Sequence, residues 1–136
     1  MSESAKGSVV QGRIPLILYA VACLLPPVRG EDSLGISALL MGWMGMFGHI
    51  PIFLTWLANI SFFLALILPA RQRPVRILFS LLSILLGLCF LRVKEIPVSE
   101  GGQTETVDPG WAFFVWMTAF FWLFFETVIY KKAASE

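Results

Sequence analysis

The feature that most constrains this chain is the length of its apolar runs, which are nearly continuous and broken only by short stretches rich in Pro, Gly and charge. Residues 34–68 are mostly apolar over their whole length. A water-soluble domain of 136 residues could not bury so much apolar surface: 57% of the residues are hydrophobic and the mean hydropathy is +0.80. Lipid must be the solvent for much of the chain, and the expected fold class is an all-α membrane protein, a four-helix transmembrane bundle forming a single integral membrane domain. The formal charge of +1 and the lack of any basic stripe exclude a nucleic-acid partner, leaving the lipid bilayer and other membrane proteins.

Four spans are expected, at about residues 14–28, 51–68, 75–91 and 111–130. Pro15 suits the first turn of the first span, and Pro26 and Pro27 close it. That span is short, and behind Lys6 and Arg13 it resembles the apolar region of a secretory signal, with Ala20-Val21-Ala22-Cys23 loosely like a lipoprotein cleavage box. The apolar run continues through Leu24 and Leu25, so a retained helix is the reading adopted. Pro51 and Pro69 bound the second span. The third carries Ser80, Ser83 and Gly87 at helical spacing, a small-residue face of the kind on which membrane helices meet. In the fourth, ten of 20 residues are Trp, Phe or Tyr, too many for interfacial belts alone, so the inner ones must pack on helices or lipid.

Before the second span, residues 36–48 are read as an interfacial or re-entrant helix. Gly42, Gly45 and Gly48 recur there every three residues, which suggests close approach to another helix. Residues 92–110 form the one sizeable polar loop. Val93 to Val98, then Gly101-Gly102, then Gln103 to Asp108 read as a short β-hairpin with a two-residue turn, and packing on a membrane-proximal helix is expected to stabilise it.

Seven of the ten Lys and Arg residues fall on one side: Lys6, Arg13, Arg71, Arg73, Arg76, Lys131 and Lys132. Arg29, Arg92 and Lys94 fall on the other, among six acidic residues. Because basic residues beside spans are retained in the cytoplasm, both termini are placed there and 92–110 outside, in a bacterial inner membrane.

Few groups could carry chemistry. Glu126 is an ionisable residue inside the fourth span, and it is expected to reach the interface or to pair with a Lys or with an arginine of the 71–76 turn. Asn59, near the middle of the second span, needs a hydrogen-bond partner on another helix. His49 stands at the outer mouth of that span after Met41, Met44 and Met46; thioether and imidazole ligands suit Cu(I), but the spacing matches no metal motif, and a helix-terminating His is the default. Cys23 and Cys89 lie within apolar runs and read as small buried hydrophobes. No nucleophile set, phosphate loop or paired carboxylate is present, so neither metal nor cofactor is expected. The functional expectation is non-enzymatic binding of other membrane proteins or of itself, as an accessory subunit, an immunity protein or a defence-system component. An oligomeric small channel or transporter subunit touching Asn59 and Glu126 is the alternative. The residues singled out are Glu126, Asn59, His49, Gly42, Gly45, Gly48, Ser83 and Gly87.

Overall fold

The computed structural model describes residues 12–30, 32–97 and 101–134. Helix α1 covers Arg13–Cys23 and the short α2 covers Gly35–Met41, continuing as a 3-10 helix over Gly42–Phe47. Three long helices follow: α3 (Ile50–Ile67), α4 (Arg73–Leu88, extended by a 3-10 turn over Cys89–Arg92) and α5 (Trp111–Ala134). Between α4 and α5 lie strands β1 (Glu95–Pro97) and β2 (Thr104–Thr106).

Among the described residues, three segments are long and apolar enough to cross a bilayer: Ile50–Ile67, Arg73–Arg92 and Trp111–Ile129. The expected first span is realised as 11 helical residues, about 17 Å at 1.5 Å per residue against a hydrocarbon core of about 30 Å. What it lacks in helix it partly recovers by its placement along α5. At one end the Gly12 N–H donates to Glu126, and at the other the Ala112 N–H donates to the Pro26 carbonyl. Residues 12–26 and 112–126 therefore run antiparallel over about 21 Å. Gly12 has φ +92°, a left-handed conformation that a side chain would strain, and this turn brings its N–H to the carboxylate.

The helices pack as their small faces dictate: α3 on α4, α4 on α5, and α1 on α5. On α4, Ser80 and Ser83 are fully buried and bond the carbonyls of Ile77 and Ser80 on their own helix, which satisfies each hydroxyl without a partner from outside. A Cβ at Gly87 would sit 2.7 Å from Met117 Sδ, so the Ser83-Gly87 face is where α5 approaches. The shared core is largely aromatic. Tyr19 stacks on Phe62 with centroids 5.1 Å apart, Phe62 meets Phe120 at the same distance, and Trp116 meets Phe120 at 4.5 Å. The aromatic residues of α5 divide as its sequence requires, with Phe113 and Phe120 buried and Trp111, Phe114, Phe121, Trp122 and Phe125 exposed.

β1 and β2 pair antiparallel, with Glu95 opposite Thr106 and Pro97 opposite Thr104, so six residues separate the last described pair. This register is centred one residue before the expected Gly101-Gly102 turn, and residues 98–100, which lead into that turn, lie outside the described residues. The segment that follows β2 is held by the chain that leaves α1: the Arg29 N–H donates to the Asp108 carbonyl, Val28 bridges Pro109, and the Gly110 N–H donates to the Pro27 carbonyl. Gly110 approaches the Pro26 carbonyl too closely for any Cβ. This third extended piece supplies what an isolated two-stranded ribbon lacks.

Candidate functional site

The residues with unusual polarity gather at two levels. At the end shared by Arg13, Arg71, Arg73 and Arg76, hereafter the basic end, Glu126 accepts from the Gly12 N–H at 2.9 Å and from Trp122 Nε1 at 3.0 Å. Arg76 is 6% exposed and donates through Nε to the Ala65 carbonyl at 3.0 Å, within electrostatic reach of Glu126. Arg73 spans to the Thr127 and Val128 carbonyls at 3.0 and 2.9 Å. Two arginines from the start of α4 thus tie down the ends of α3 and α5, and a planar guanidinium with several N–H donors suits that task.

About 15 Å further along α5, toward the hairpin, a second group forms around Asn59. Asn59 is 7% exposed, and its Oδ1 accepts from the Tyr19 hydroxyl at 2.6 Å and from Trp116 Nε1 at 2.9 Å. Its Nδ2 donates to the Trp56 carbonyl at 3.0 Å, and Trp56 Nε1 in turn donates to the Leu39 carbonyl at 2.7 Å. An indole N–H can only donate, so the amide oxygen must face Trp116, which fixes the orientation of Asn59. One neutral amide thereby joins α1, α3 and α5, and Trp56 extends the connection to α2.

Beside this group the packing is incomplete. A cavity of about 120 Å³ lies between α1, α2, α3 and α5, open on one side. Tyr19, Asn59, Thr55 and Trp116 contribute to its lining, with Cys23 and Ala38 toward α1 and α2, and no charged residue lines it.

The other singled-out residues fall into place around these two levels. Gly42 presses on Trp56 and Gly45 on the Ile52 side chain and the Phe53 backbone of α3, whereas a Cβ at Gly48 would meet nothing within 4 Å. Their three-residue spacing matches a 3-10 helix, whose three residues per turn put every third position on one face. His49 sits at the N-cap of α3 and acts through its backbone, its N–H donating to Gly45 and its carbonyl accepting from Ile52 and Phe53. Ser83 and Gly87 join neither level and belong to the α4–α5 contact. Among the described residues, no group of three or more His, Cys, Asp or Glu side chains is placed to hold a metal ion.

Sequence reasoning finds Asn59 and Glu126 but not their partners Tyr19, Trp116 and Trp122. A midspan amide demands donors from other helices, and that demand is the signal that points to them. Arg76 is counted there among loop cations, although it continues the Ser80, Ser83, Gly87 face at helical spacing. Compared with protein-family models, with curated proteins and with solved structures, the chain matches none.

Proposed function

We propose that this chain is a small bacterial inner-membrane protein with four crossings and both termini in the cytoplasm, which works without catalysis by binding another membrane protein or a second copy of itself. An accessory subunit, a toxin-immunity protein and a defence-system component all fit that description. The supporting observation is the uncharged segment from α2 through the 3-10 helix. Gly42 and Gly45 are spent on α3, and six large side chains point away: Leu40, Met41, Trp43, Met44, Met46 and Phe47 are all exposed, Phe47 by 74%. Methionine and aromatic side chains are enriched at protein interfaces, because flexible thioethers adapt and flat rings bury much area. The segment sits at the start of α3, where a partner can reach it from the membrane or from the water interface.

The channel reading needs Asn59 and Glu126 on a surface shared between copies. Asn59 is enclosed by its own chain, so partner binding is the reading drawn.

Photo-crosslinking in native membranes tests it. A crosslinking residue in place of Phe47 should give a discrete protein adduct, and one in place of the exposed Leu78 on α4 should give lipid adducts alone. Lipid adducts alone at both positions, with the protein monomeric in detergent, would overturn it.

A further inference from the structure

The cavity beside Asn59 has a size, a wall chemistry and a polar corner, and together these specify an occupant. We propose that it is a binding site for a single ring-sized, uncharged molecule or headgroup carrying a carbonyl or hydroxyl oxygen, of the aromatic-ketone, quinone or phenol class.

Size comes first. A volume of about 120 Å³ is close to that of engineered apolar cavities of about 150 Å³ that take up benzene, so one six-membered ring fits. The walls agree with this, because Tyr19, Trp56, Phe90, Phe113 and Trp116 offer aromatic faces and edges that favour a flat guest, while the small residues opposite, such as Ala22 and Gly42, leave the space for it.

The polar corner restricts the guest further. Both acceptor positions of Asn59 Oδ1 are taken by Tyr19 and Trp116, and one of its two N–H groups is given to Trp56. The remaining amide N–H is a donor, and the Tyr19 and Thr55 hydroxyl oxygens retain lone pairs after donating to Asn59 and Pro51. A neutral oxygen can accept from Asn59 and, if it is a hydroxyl, donate to Tyr19. A saturated chain would leave that corner without a partner, and a carboxylate or ammonium would enter an uncharged site at heavy desolvation cost.

The cavity also carries its own reporter. Cys23 lines it, and of the two cysteines in the chain the other, Cys89, bonds the Leu85 carbonyl on α4 and is not part of the lining. In full-length protein carrying Cys89→Ala in lipid nanodiscs, the rate of N-ethylmaleimide addition to Cys23 is followed by mass spectrometry. Acetophenone should slow it saturably. Ethylbenzene, of the same size but without the oxygen, should require about tenfold more per lipid, the factor expected for one hydrogen bond. Asn59→Asp, neutral in this uncharged setting, still accepts from Tyr19 and Trp116 and spends its one O–H on the Trp56 carbonyl, so it has no donor left for the guest and should erase the advantage of acetophenone. Equal protection by the two probes, or none by either, would overturn the proposal. Ala38→Phe keeps it falsifiable if the Asn59 variant does not fold, because Ala38 is exposed at the cavity edge. Filling that edge should slow alkylation without any probe, and an unchanged rate with undiminished protection by acetophenone would contradict the site.

Discussion

At the basic end, charge holds the helices together: Glu126, Arg73 and Arg76 are each bonded to a backbone group of another element, and Arg76 and Ser80 are buried. Toward the hairpin, the same helices are joined through one neutral amide, and beside it the packing stops short and leaves a cavity. The difference follows from what each level can offer. At the basic end each guanidinium reaches backbone carbonyls of a neighbouring helix. Around Asn59, where no charged residue lines the space, only a group that is satisfied by neutral partners is tolerable. One end is thus built for closure and the other for access.

Substitutions can break or sharpen that contrast. The largest effect is expected for Arg76→Ala, which removes a buried cation from the Ala65 carbonyl and from Glu126, at about 3 kcal/mol. Denaturation of the purified protein in mixed detergent would read it, and adding Glu126→Gln should recover part of the loss; full additivity of the two would show that they do not interact. Next is Asn59→Leu, which strands the Tyr19 hydroxyl and the Trp116 N–H beside an apolar side chain and should cost about 2 kcal/mol, with a shift in tryptophan emission. Gly87→Val, pushing methyl groups toward Met117 and Phe120, should cost roughly 1–2 kcal/mol, because the Met117 side chain can partly give way. Smallest is Tyr19→Phe. It keeps the ring stack on Phe62 and loses one hydrogen bond, so about 0.6–1 kcal/mol is expected, and a larger loss would mean that the hydroxyl anchors more than Asn59.

The same contrast explains how much could be read in advance. Helix positions α3 to α5 followed from apolar run length and from Pro51, Pro69 and Asp108-Pro109-Gly110, because those signals are local. Gly42, Gly45 and the Ser83-Gly87 face do lie at close contacts, and Gly48 does not. Spacing alone could not say that the contacts lie within the chain, since a face for self-assembly and a face for packing on the next helix use the same small residues. Asn59 was visible as a costly group, but Tyr19 and Trp116 lie 40 and 57 residues away, and no local pattern links them. The hairpin was anticipated, and its support was not, because the stretch after α1 that holds it carries Pro26 and Pro27, which read as a helix stop rather than as an extended partner.

The most direct test of the closed and open ends compares two thiols, one half-buried beside the cavity and one enclosed among the helices at the basic end. In nanodiscs, Cys23 beside the cavity is set against Ser80→Cys in protein otherwise free of cysteine, Ser80 being fully buried one turn beyond Arg76. The account predicts that a small membrane-permeant maleimide modifies Cys23 at least about tenfold faster, since the buried site must wait for local opening. Equal rates, or faster reaction at position 80, would contradict it.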